Sequence, residues 1–147
     1  MRMRKPYLAL GLLVAALGLV ATVTFAASEI ENKVLDQWKT AVQHSKFTQD
    51  YSAMKEVQSH LQHVVNCIEG PKGLEYDGGV GNPCQGKGTG MMNDAKAAGS
   101  KYAQAAPKME LANDVAISGL KAKTVEKAKA AGWASQLILE QVGASLK

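Results

Sequence analysis

Two of the three histidines lie close together, in the stretch EVQSHLQHVVNC at residues 56–67. If this stretch is helical, each residue turns by about 100°, so His60 and His63 lie one turn apart on one side. Glu56 and Cys67 fall on the same narrow stripe, which lies beside the apolar face of the helix without overlapping it. Neutral imidazoles and a carboxylate are ligands that suit Cu, Zn, Ni or Fe. The spacing therefore predicts a transition-metal site formed by His60, His63 and Glu56.

These three ligands leave the predicted site incomplete, because zinc sites have four protein ligands or three with a water. His44, near the end of the preceding predicted helix, and the pair Met91-Met92, after the glycine-rich segment, are candidate additional ligands. A methionine pair would favour Cu(I) or haem iron, which makes non-covalent haem the second candidate ligand after a metal ion. Two surface histidines without a ligand are the plain alternative, because His-x-x-His is a short and common pattern.

The two cysteines, Cys67 and Cys84, are 17 positions apart. In an exported protein, two cysteines are more often joined in a disulfide than used as thiolate ligands. Cys84 lies in segment 70–90, where eight of 21 residues are Gly and two are Pro, a composition that predicts a long loop. The predicted disulfide either holds this loop over His60 and His63 as a lid, or only tethers a long connection.

The first 27 residues are typical of an export signal. The positive segment MRMRK precedes an uncharged run, YLALGLLVAALGLVATVTFAA, at 7–27. This pattern predicts a signal peptide over 1–27. The best cleavage site is after Ala26, where Thr24 and Ala26 are the two small residues. The run is also long enough to span a bilayer, so an uncleaved N-terminal membrane anchor is the alternative. In both cases residues 28–147 are expected in the periplasm or outside the cell.

The charge of the exported part excludes one class of partner. From Ser28 onward the chain has 14 lysines, no arginine and 13 acidic residues, which gives a net charge of +1. A nearly neutral domain without arginine offers no electrostatic reason to expect nucleic acid as a partner. Contact with a membrane is expected only through the N-terminal segment, if it is uncleaved. The chain has no nucleophile-elbow pattern and suggests no substrate, so a binding protein is favoured over the third alternative, an enzyme with His63 as general base.

Apolar residues recur at steps of three and four along most of the exported part, which predicts amphipathic helices. The expected fold is all-α: an antiparallel bundle of four to five helices in one domain over 28–147, with the loop 70–90 closed by the disulfide. The first predicted helix covers 30–45, and the second runs from near Thr48 to Gly70, with Tyr51 on its apolar face. The third runs from Met91 to a break at Ala106-Pro107. The last two begin at Pro107 and near Thr124.

These observations predict a small exported helical-bundle protein that binds a transition metal, or secondarily haem, through a His-x-x-His helix face. The alternative is a non-catalytic structural or adaptor module, secreted or tethered to a membrane. Such a module would recognise another protein through its alanine-rich helices or through the loop.

Overall fold

The computed structural model describes residues 29–146, and all regular secondary structure in that part of the chain is helical. The all-α prediction is therefore confirmed, whereas the predicted leader over 1–27 lies outside the described residues. None of the helices in 29–146 is both long and apolar enough to span a bilayer. The helices are α1 (29–47), α2 (Met54–Glu69), α3 (Met91–Ala97), the single turn α4 (Ser100–Ala103), α5 (Ala106–Leu120) and α6 (Val125–Ser145).

Helix α2 supplies much of the core. Its apolar residues, spaced at three and four, are fully buried at Val57, Leu61, Val64, Val65 and Ile68, as the periodicity predicts. Burying each such side chain stabilises the fold by about 1.5–3 kcal/mol. Helix α2 packs against α5 and α6, which form an antiparallel pair joined by a short turn.

Small residues on α6 let α1 approach closely. The Trp38 ring of α1 occupies the space that a Cβ atom on Gly143 would need, and the Trp38 indole N–H donates to the Leu139 carbonyl at 2.6 Å. Thr48 likewise packs against Gly132. Larger residues at these two glycines would push α1 away from the bundle.

The predicted start of the second helix at Thr48 is wrong, because α2 begins at Met54. The Thr48 hydroxyl donates instead to the Ser45 carbonyl at 2.6 Å, so this side chain closes the end of α1 rather than capping α2. Tyr51 consequently lies in the connection between the two helices. The prediction that Tyr51 belongs to the core face is therefore wrong. Its side chain is exposed and stacks on His60.

The predicted loop and disulfide are both present. Residues 70–90 contain turns and bends only, and Cys67 is bonded to Cys84. Both cysteines are buried. The alanine-rich segment after the loop, expected as one helix, is divided into α3 and α4, with Gly99 between them at φ 103°. Helix α5 begins with proline in its first turn, as predicted for Pro107.

Buried polar side chains hold the end of the loop against α1. The Asp94 carboxylate accepts hydrogen bonds from the Thr89 backbone N–H at 2.9 Å and from the Gln37 side-chain amide at 2.7 Å. The Gln37 amide oxygen in turn accepts from the Gly90 N–H at 2.9 Å. The loop is therefore fixed at several points besides the disulfide.

We expect the double variant Cys67→Ser/Cys84→Ser to lose about 3 kcal/mol of unfolding free energy, because a 17-residue loop is no longer closed in the unfolded chain. Urea unfolding followed by circular dichroism measures this loss, with the helical signal retained before the transition. Reduced wild-type protein is the control and should unfold at the same urea concentration as the variant. An unchanged midpoint in the variant would contradict the expectation.

Candidate metal centre

Three histidines converge between α1 and α2. His44 comes from the last turn of α1, whereas His60 and His63 come from adjacent turns of α2, and one ligand nitrogen from each lies within 4.8 Å of the others. His44 Nδ1 is 3.0 Å from His60 Nδ1 and 3.2 Å from His63 Nδ1. In a tetrahedral site with metal–nitrogen bonds of about 2.0–2.1 Å, neighbouring ligand atoms are about 3.3 Å apart. These two separations are therefore close to those around one metal ion.

The local fold explains this convergence. Helix α2 places His60 and His63 three residues apart, so both rings project from one side of the helix. The short connection 48–53 returns the chain beside α1, and this brings the last turn of α1 next to the first half of α2. His44, predicted only as an additional ligand, is thus placed between the other two rings.

One hydrogen bond determines which nitrogen of His63 carries the proton. His63 Nε2 lies 3.1 Å from the Val80 carbonyl oxygen, which can only accept, so Nε2 is the donor. The neutral His63 ring then has its lone pair on Nδ1, facing His44. A metal-bound histidine usually has this arrangement, in which the outer N–H is held by a carbonyl or carboxylate.

The proton of the neutral His44 ring lies on Nδ1. Because His63 Nδ1 is an acceptor, the nitrogen facing it at 3.2 Å, His44 Nδ1, is the donor. His60 Nδ1, at 3.0 Å from the same N–H, then presents a lone pair as well. A single proton on His44 Nδ1 therefore lies where the three rings meet. A metal ion could take the place of this proton between the three rings, and the proton of His44 would then be on Nε2.

The environment favours neutral rings. Burial lowers the pKa of His44 to about 4 from the ordinary 6.5, and the charges of His63, His60 and Lys87 act in the same direction. Burial and His63 also lower the pKa of His60, against the opposing effect of Asp50 and Glu56. Neutral imidazole is the form that binds metals, so His44 and His60 need no deprotonation to act as ligands near neutral pH.

Two aromatic rings line one side of the three histidines. Tyr51 stacks on His60 with ring centroids 4.9 Å apart, and Phe47 meets the His44 ring edge-on at 5.5 Å. Sequence reasoning did not identify either as part of the site. Phe47 could have been identified from its position one turn after His44 on α1. Tyr51 could not, because its position next to His60 depends on where α2 begins.

The other predicted ligands lie outside the group of three histidines. Glu56 is exposed one turn before His60, and its charge acts on the His60 pKa; Glu56 as a ligand stays a prediction. Met91 is fully buried in the hydrophobic core, and Met92 packs against that core. Both methionines therefore contribute to packing, and their role as ligands also stays a prediction.

The glycine-rich loop reaches the site at His63. Besides the Val80 carbonyl, Gly81 lies so close that a Cβ atom there would be 3.5 Å from His63 Nε2. The loop thus contacts the outer edge of this ring, on the side opposite the nitrogen that faces His44.

Comparisons of the chain with protein-family models, with curated proteins and with solved structures found no match. We therefore infer function from the residues of the site.

The folded protein should lose stability as the pH falls from about 6.5 to about 4. In the unfolded chain His44 has the ordinary pKa of 6.5, whereas in the folded chain its pKa is about 4. Between these two values the unfolded chain binds a proton that the folded chain does not, so a fall in pH favours unfolding. We expect the melting temperature of the His44→Phe variant to fall less steeply over the same range. Circular dichroism melts at stepped pH in the presence of a chelator measure both slopes, and parallel curves would refute the assignment.

Proposed function

We propose that this protein binds one transition-metal ion through Nδ1 of His44, His60 and His63. The observation that supports this most is the pair of Nδ1···Nδ1 separations, 3.0 and 3.2 Å. Without a metal, the N–H of His44 is shared between the other two nitrogens. A metal ion in place of that proton would bind all three lone pairs at once.

The donor set favours a particular class of metal. The three histidines offer nitrogen, and both cysteines are held in the disulfide, so no thiolate is available. Nitrogen ligands suit Zn, Cu, Ni or Fe, whereas Mg and Ca prefer oxygen. The disulfide is typical of proteins in an oxidising compartment, which supports a site of action in the periplasm or outside the cell.

The geometry favours a metal ion over haem as the ligand. Haem iron takes protein ligands only on its two axial positions, above and below the porphyrin. The Nδ1 atoms of His44, His60 and His63 instead lie side by side, at 3.0 and 3.2 Å, and a porphyrin ring would block such neighbouring positions.

Three nitrogens leave at least one coordination position for water or another ligand. The three rings are each partly exposed, so such a ligand can reach the ion from solvent. We infer a role in binding and releasing the metal.

The adaptor alternative has one supporting observation. Trp133 is 55% exposed on α6, and Leu137, one turn further along, is 42% exposed. Large exposed apolar side chains on neighbouring turns can contact another protein. Recognition of a protein partner through this face stays a prediction.

Wild-type protein should bind one Zn²⁺, Ni²⁺ or Cu²⁺ ion per chain at micromolar concentration. We expect His44→Ala, His60→Ala and His63→Ala each to weaken binding by at least about 100-fold, since each removes a direct ligand. Isothermal titration calorimetry measures the affinity. Glu56→Gln is the matched control. Affinity within a few-fold of wild type would mean that the three histidines are the protein ligands. A loss of affinity near that of the histidine variants would mean that Glu56 is a fourth ligand. The proposal fails if wild-type protein takes up no metal.

Metal should also stabilise the fold, because the ion links α1 to α2. Free metal at about 100 times the dissociation constant should raise the unfolding free energy by about 2.7 kcal/mol. Chemical unfolding with zinc and with a chelator measures the difference. The His60→Ala variant should show no such gain, and an equal gain in this variant would place the binding elsewhere.

A further inference from the structure

A buried asparagine connects the loop to the metal-binding rings. Asn66 is fully buried on α2, one turn after His63. Its side-chain amide donates to the Asp77 carbonyl at 2.8 Å and to the Gly81 carbonyl at 2.7 Å. Its oxygen accepts from the Asp77 N–H at 3.0 Å and from the Gln62 side chain at 3.0 Å. These bonds use both donors and both acceptor sites of the amide.

The two carbonyls held by Asn66 lie on either side of Val80 in the chain. Gly81 has φ 105°, a backbone conformation that side-chain-bearing residues rarely adopt, and its N–H donates to the Gly78 carbonyl at 3.2 Å. The peptide between Val80 and Gly81 is therefore fixed in orientation. This is the peptide whose oxygen accepts the hydrogen bond from His63 Nε2.

We propose that Asn66 is a positioning residue of the metal site: through Val80 and Gly81 it holds the acceptor that fixes the ring and the proton of His63. The expected effect of Asn66 on metal affinity rests on the proposed function, whereas its effect on the ring and the proton of His63 does not. Asn66 itself has no free donor or acceptor facing the metal. Its effect is that His63 presents an unprotonated Nδ1 in a fixed direction before any ion arrives.

The first arm of the test needs no metal. In chelator-treated wild-type protein, nuclear magnetic resonance with ¹⁵N-labelled histidine should show His63 protonated at Nε2, with that proton protected from solvent exchange. In Asn66→Ala the protection should be lost, because the loop no longer holds the Val80 carbonyl against the ring. The matched control is Gln58→Ala, which removes another side-chain amide of α2 that donates to a carbonyl, that of Leu120. It should leave the His63 proton protected.

The second arm measures zinc affinity by calorimetry on the same proteins. Loss of the bond that orients a ligand typically weakens metal binding by about 10- to 100-fold, so Asn66→Ala should fall in this range and Gln58→Ala should match wild type. Gly81→Ala should act in the same direction, because it strains the same peptide from within the loop. Since residue 81 lies in a disulfide-closed loop outside the core, this variant keeps the test valid if Asn66→Ala does not fold.

The results separate the two proposals. A folded Asn66→Ala protein with a protected His63 proton and wild-type affinity overturns the positioning role, as does a Gly81→Ala protein with both properties unchanged. If wild-type protein binds no zinc but Asn66→Ala still loses the protected proton, the positioning role stands and the metal-binding function fails.

Discussion

The proposed function depends on the crowding of three imidazole nitrogens between α1 and α2. Burial makes it costly to charge these rings, and two protonated rings about 3 Å apart would also repel each other. The lowered pKa values of His44 and His60 are the direct result. Neutral rings that direct their Nδ1 atoms to one point can share one proton there, or one metal ion. The same arrangement therefore underlies both the expected loss of stability in acid and the proposed binding of metal.

Holding three rings in this way requires a rigid frame. Helix α2 supplies two of the rings and, on its other face, much of the core, so its position is fixed by packing against α5 and α6. Helix α1 is pinned to α6 by Trp38 and to the loop by Gln37. The disulfide and Asn66 bring the loop to the outer nitrogen of His63. The core, the loop and two of the three histidines thus meet along α2, and α1 supplies the third.

The parts that follow helical periodicity could be predicted from the sequence. The step of three residues places His60 and His63 together, and the same period identified the buried face of α2 around Leu61. The disulfide followed from two cysteines behind a leader-like segment. His44 could be named only as an additional ligand, because its place between the other rings depends on how α1 and α2 pack.

Three features could not be predicted, for different physical reasons. Thr48 is a good helix cap, but its hydroxyl closes α1, and only tertiary packing against Gly132 decides between these uses. The acceptor that orients His63 is the backbone carbonyl of Val80. Every residue has such a carbonyl, so the sequence does not show which one will face the ring. Asn66 could be recognised as a polar residue beside the core, but not as the residue that holds residues 77 and 81.

The most direct test of the account is the location of the metal itself. Crystals grown with one equivalent of zinc, with diffraction data collected on both sides of the zinc absorption edge, give an anomalous map that shows only the ion. One strong peak is expected at about 2.0–2.1 Å from Nδ1 of His44, His60 and His63. A peak bound through other atoms, or no peak at these three rings, would contradict it.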